Sequence, residues 1–391
     1  MTLLGNGESV VVRVDVNPEL FTWAENRSGL PSDELVSRFP RLAEWRSGRT
    51  RPTLKQIEDF ASVTRTPVGY LFLPSPPEEH LPIPDLRTVG DEPLGHPSPD
   101  LLDTIHLSQQ RQEWYRSYLL ATGQREVPWV DSCTLESAPS EVAARMRDTF
   151  HFQVDERGGR WVEAFRILSD RAEEVGVLIM VNGVVGTNTH RKLDPQEFRG
   201  FSLVDSLAPT VFVNGADTRA AQVFTLAHEL AHLWLGQSAL DNASLDQAGT
   251  TEVEKWCNQV AAEFLVPMSQ LRQEFKTDQD LGDEVDRLAR RYKVSTLVIL
   301  RRLYEGDFLS RREFRAAFRD ELERVLDLVG VQAGNGGNFY NTQPVRVSKT
   351  FARAVISDTL TGRTTYSDAF RMLGLKKSST FNEMAHRLGV A

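Results

Sequence analysis

Cysteine is nearly absent from this 391-residue chain, with Cys133 and Cys257 the only two. Neither belongs to a Cys-x-x-Cys pair, so a disulfide framework is excluded and two buried thiols are expected. No stretch reaches about 18 uninterrupted apolar residues, and Met1 to Glu8 carry no cationic segment leading into an apolar run. Neither a spanning helix nor a secretory leader is therefore expected, no membrane partner follows, and the expected compartment is the cytoplasm. Positive charge is also short. The 45 Lys and Arg against 54 Asp and Glu leave a net charge of −9, which argues against nonspecific nucleic-acid binding by the molecule as a whole. A local basic face survives that argument. Between Arg38 and Arg65 stand Arg38, Arg41, Arg46, Arg49, Arg51, Lys55 and Arg65 against Glu44, Glu58 and Asp59. The 40% hydrophobic content over this length is enough for two or three cores.

Histidine is scarce too, at eight residues, which makes the placement of two of them informative. The stretch from Phe224 to Gly236 contains His228-Glu229-Leu230-Ala231-His232 in a segment that reads as an amphipathic helix. Residues four apart on a helix lie one above the other, so His228 and His232 can each place a ring nitrogen about 2.0 to 2.1 Å from one zinc ion. Glu229 is rotated by about 100° from His228. It borders such an ion without ligating it and is placed to act as a general base on an attacking water. Val223, Ala227, Leu230, Ala231 and Trp234 cluster on the adjoining face, and Gly236 is the expected stop. Chance placement on a helix flank is the competing explanation, and the spacing, the adjoining Glu and the apolar face together weigh against it.

A catalytic metal normally has three protein ligands. Downstream, Thr251 to Pro267 reads as a second helix, and Glu252, Glu254 and Glu263 are its candidates for the third ligand. Glu254 and Glu263 fall on opposite flanks of the stripe Val253, Trp256, Cys257, Val260 and Phe264, so either one, but not both, can face the metal. Thr251-x-x-Glu254 also has the form of a capping box. The small Ala261 and Asn258 leave more room near Glu254.

Upstream, Val177 to Val181, Phe198 to Val204 and Pro209 to Asn214 read as strands, and the one at the cleft edge is expected to pair with substrate backbone. The N-terminal part reads as short helices: Asn17-Pro18-Glu19 starts the first and Gly29 ends it, Pro31 to Phe39 gives a second that Pro40 breaks, and Leu42 to Gly48 and Thr53 to Ala61 give two more. Ala43-Glu44-Trp45-x-Ser47-Gly48, then Pro52-Thr53-Leu54 and Leu71-Phe72-Leu73-Pro74, resembles the phage-repressor (Cro/C1, Xre-like) family over roughly Asn17 to Pro77. That resemblance implies a helix-turn-helix module and DNA as a partner; the alternative is a helical bundle that touches no DNA.

Phe224 to Leu233, followed by Glu254-x-x-Cys257-Asn258-x-x-Ala261-Ala262-x-Phe264-Leu265-x-Pro267, resembles the ImmA/IrrE family of zinc-dependent endopeptidases over about Ser169 to Pro267. The resemblance implies His228, His232 and Glu254 as zinc ligands and Glu229 as general base. It also implies a regulatory protein, such as a helix-turn-helix repressor, as the substrate. An alternative role for such fusions is a DNA-binding autorepressor or antitoxin that neutralises a PIN-like nuclease toxin, its metal site being structural or vestigial.

The expected fold is α+β and mainly helical, with a zincin-like catalytic domain between helical N- and C-terminal regions. The expected divisions are 1–77 for the helix-turn-helix domain, 78–100 for an extended proline-rich linker, 101–270 for the peptidase domain and 271–391 for a helical C-terminal region. Within the last, residues 281–304 read as a helical hairpin in preference to a second helix-turn-helix. Arg311 to Val329 reads as a charged, solvated helix, and Ala333 to Asn338 as a loop too poorly placed to cradle phosphate.

Overall fold

The computed structural model describes residues 12–85, 88–89, 92–93, 97–241, 251–329 and 339–390. It divides into two units, residues 1–81 with 95–103, and residues 82–94 with 104–391. The glycine-rich stretch 333–338 lies outside the described residues.

Caps and prolines set the helices of the first unit. The Asn17 side chain accepts from the Glu19 amide at the start of α1 (Pro18–Ser28), and Gly29, at φ 64°, ends it in the left-handed conformation. Helices α2 (Ser32–Arg38) and α3 (Leu42–Arg46) flank Pro40, which has no amide hydrogen to continue a helix. A reciprocal Thr53–Gln56 capping box opens α4 (Leu54–Val63). The apolar stretch ahead of α1 pairs with the chain before α4, through Val14 N to Pro52 O at 3.0 Å and Leu54 N to Val12 O at 3.1 Å. Phe21, Phe39, Trp45 and Phe60 pack ring against ring with Leu20, Leu35, Leu42 and Ile57 to form the core of this unit.

The second unit begins inside the stretch expected to be a spacer. Ile83 is buried, Pro84 O accepts from Leu240 N, and Asp85 bridges Leu240 in parallel. Strands β1 (Thr88–Val89) and β2 (Glu92–Pro93) form a small hairpin. The following helix, α5 (Pro99–Ala121), already starts at the last proline of that stretch. Next come α6 (Pro139–Thr149) and α7 (Trp161–Glu174), then strands β3 (Leu178–Asn182), β4 (Val184–Val185), β5 (Asn188–Lys192), β6 (Gly200–Leu203) and β7 (Thr210–Asn214). Helix α8 (Arg219–Leu235) leads into β8 (Ala239–Asp241), and α9 (Glu252–Leu265) and α10 (Met268–Glu274) follow. Helices α11 (Leu281–Tyr292), α12 (Thr296–Glu305), α13 (Arg311–Val329), α14 (Phe339–Val347), α15 (Lys349–Leu360), α16 (Tyr366–Leu373) and α17 (Ser378–Arg387) complete the chain. The fold is thus α+β and mainly helical, with a small mixed sheet. Among the described residues no helix is long and apolar enough to cross a membrane.

The principal sheet has the order β3-β7-β6-β8; β3 and β7 run parallel, and β6 is antiparallel to both of its neighbours. Of the three strands read from the sequence, β3 lies at one end of the sheet and β7 within it, while β8, which follows α8, covers the outer side of β6.

The core does not stop at residue 270. Val285, Leu288, Tyr292, Ile299 and Leu303 of the α11–α12 hairpin join one apolar cluster with Val223, Ala227, Leu230 and Trp234 of α8 and Val260 and Phe264 of α9. Arg157 ties these helices together. Its buried guanidinium stacks on Phe152 at 4.7 Å and donates to the carbonyls of Phe264, Leu265 and Tyr292, and burial lowers its pKa to about 9. Arg147 and Arg302 add bonds to the carbonyls of Glu263 and Val266, so three guanidinium groups meet the negative end of the α9 dipole.

Candidate metal centre

Helix α8 starts where the Thr218 side chain accepts from the Ala221 amide and stops at Gly236, at φ 72°, where a Cβ would collide with Asp131. The helix is not amphipathic in place. Every residue from Gln222 to Leu235 is buried, so the polar side chains His228, Glu229 and His232 face other protein groups and not solvent.

The four-residue spacing puts the rings of His228 and His232 at a centroid separation of 4.7 Å, with their Nε2 atoms 3.0 Å apart. Helix α9 supplies the third group. Thr251 accepts from the Glu254 amide, and the Glu254 side chain does not fold back to complete a box but points to the histidines. Its Oε2 is 3.2 Å from His228 Nε2 and its Oε1 is 3.2 Å from His232 Nε2. Burial alone would raise the Glu254 carboxyl; the adjoining His228 and His232 outweigh it and hold it well below the usual carboxylate range.

The arrangement suits a metal ion. Donors bonded tetrahedrally at about 2.0 to 2.1 Å stand about 3.3 Å from one another. The three donor separations here are 3.0, 3.2 and 3.2 Å. Two imidazoles and one carboxylate are the ligand types of an open zinc site, and all three residues are buried.

Of the other glutamates on α9, Glu252 is exposed. Glu263 accepts from the Met268 amide and pairs with Arg302, so it is spent on joining α9 to α10 and α12. The structure brings together His228, His232 and Glu254, with Glu229 one residue from the first, and leaves Glu252 and Glu263 out.

One residue of the site, Gly200, was not singled out from the sequence, whereas Asn258 was, as a small neighbour of Glu254. Gly200 of β6 lies against Glu229, and a Cβ there would stand 2.6 Å from Thr225 Cγ2, 2.9 Å from Phe212 O and 3.0 Å from Glu229 Oε1. A glycine inside a strand was the available signal, since it marks close approach of another element. Asn258, one turn after Glu254, is buried and its Oδ1 lacks a hydrogen-bond partner among the described residues.

Residues 172–304 match the family model described as the IrrE N-terminal-like domain, a peptidase family (Peptidase_M78). This part of the chain is similar to metallopeptidases of the ImmA/IrrE type, a generally zinc-dependent family. The match ends at the close of α12, as do the buried residues of the shared core, against which the partly buried Phe314 and Phe318 of α13 also pack. Residues 347–387 match a second model, a domain of unknown function (DUF8813). No curated protein matches the chain.

Proposed function

We propose that the chain, on the strength of its IrrE-like peptidase domain, is a zinc-dependent endopeptidase. Its substrate is a regulatory protein such as a helix-turn-helix repressor, whose cleavage alters gene expression. The observation that carries this reading is the convergence of His228, His232 and Glu254 with Glu229 beside them. A site holding only a structural ion has no use for a carboxylate next to its first ligand.

When bound, zinc supplies a Lewis acid that polarises the scissile carbonyl and acidifies water. Glu229 takes a proton from the attacking water and returns it to the amide nitrogen as the C–N bond breaks, so proton and leaving group balance. Gly200 keeps β6 close over that carboxylate, and burial of the whole set strengthens each electrostatic contact. In this reading Glu229→Gln retains stoichiometric zinc and lowers cleavage of a repressor substrate by about 100-fold or more, whereas His228→Ala loses the ion. Metal analysis and gel-based cleavage read both. If Glu229→Gln performed the cellular role unchanged, hydrolysis would not be the function.

The second reading, a DNA-binding autorepressor or antitoxin that neutralises a PIN-like nuclease, draws on the first unit. Arg38, Arg51 and Lys55 keep 62%, 67% and 75% of their side chains exposed. Binding to operator DNA that weakens steeply with salt, together with normal regulation by Glu229→Gln, would favour it.

A further inference from the structure

The site is closed. His228, Glu229 and His232 expose none of their surface and Glu254 exposes 1%, so a peptide carbonyl reaches Glu229 only after something moves. The nearest sheet strand is β6, which touches Glu229 at Gly200, and Gly200 pairs with Asp241 of β8. An extended peptide that added to the sheet beside the site would meet the outer edge of β8. That edge is held by the chain itself. Leu240 N donates to Pro84 O at 3.0 Å, Asp85 bridges Leu240 in parallel, and Ile83 is 8% exposed.

The composition of this segment limits how firmly it holds. Pro82 and Pro84 carry no amide hydrogen, so two of the four residues cannot donate to a ladder. Proline also favours the extended backbone in advance, which lowers the ordering cost of a weak contact. The backbone hydrogen bond from Leu240 N to Pro84 O joins the segment to β8, and Ile83 is its buried apolar residue. A substrate strand without prolines would form more bonds along the same edge.

We propose that the outer edge of β8 is a docking site for an extended peptide with an aliphatic side chain at the position of Ile83. Pro82–Asp85 is its resident occupant and competes with the incoming protein substrate. The competition rests on the peptidase reading above; the docking itself does not.

The test uses the full chain carrying Glu229→Gln, with and without Ile83→Asp. The probe is a labelled synthetic peptide of residues 78–85, Glu-Glu-His-Leu-Pro-Ile-Pro-Asp. If the segment occupies the edge about nine-tenths of the time, releasing it tightens peptide binding about tenfold in anisotropy titrations. Amide exchange at Leu240 accelerates alongside, while Val213 in β7, on the far side of β6, stays protected. Equal affinity in both proteins, or unchanged protection at Leu240, overturns the proposal. Should Val213 also lose protection, Ile83→Ser is scored by the same two criteria. Neither readout needs hydrolysis. If the Glu229→Gln proteins dock the peptide as expected while the unsubstituted protein cleaves nothing, this inference stands and the peptidase reading falls; if the unsubstituted protein cleaves a repressor yet Ile83→Asp gains no affinity, the reverse holds.

Discussion

At Gly200 one methyl group would enter space held by Thr225 Cγ2, Phe212 O and Glu229 Oε1, all within 3.0 Å of it. Two of these are on the metal-site helix and one is sheet backbone, so none is the loose end of a surface side chain. Gly200→Ala must therefore shift β6 or Glu229. We expect metal content to stay stoichiometric and turnover at saturating substrate to fall about 100-fold, the cost of roughly an ångström of misplacement. Parallel kcat and metal measurements check this, and loss of the ion would show instead that the ligands had moved. The choice among glutamates is also decided at this scale. His228, Glu229 and His232 were readable because one helical turn fixes their relation. Glu254 and Glu263 were not separable by helix geometry, because what removes Glu263 is Arg302, 39 residues away in sequence. Only the folded chain shows which carboxylate is already engaged.

Among the elements, several helices were legible with their caps, since Asn17, Thr53 and Thr251 each accept from an amide at the predicted start, whereas the Thr218 cap of α8 was not read. Short strands were not. Ala239–Asp241 is three residues without a β-branched side chain, and Asn188–Lys192 is polar and exposed, so neither carries an alternation to detect. The amphipathic reading of α8 failed for a related reason: the sequence shows which residues are apolar, not how many sides will be covered. The end of α9 depends on Arg157, which no sequence pattern marked. Arg157→Met removes the donors to three buried carbonyls while keeping much of the stacking volume on Phe152. We expect a loss of about 3 kcal/mol or more, measured by urea unfolding as a lower midpoint at unchanged slope.

For the whole molecule, the boundary expected at 270 fails because the apolar stripe of residues 281–304 announces burial without saying against what. It packs into the same core as α8 and α9. A chain ending at residue 270 should accordingly lose cooperative thermal unfolding, whereas one ending at Ser310 keeps every buried residue of the cluster; calorimetry of the two distinguishes a shared core from a separate C-terminal domain. The near-complete burial of the four site residues has a last consequence, for exchange kinetics. An ion held between α8 and α9 can leave only when those helices part, so the protein sets the escape rate and the competing chelator does not. The half-life of the bound ion should stay constant as EDTA is raised tenfold, and its temperature dependence should follow that of amide exchange in α9. A half-life that shortened in proportion to chelator would mean that solvent reaches the donors directly.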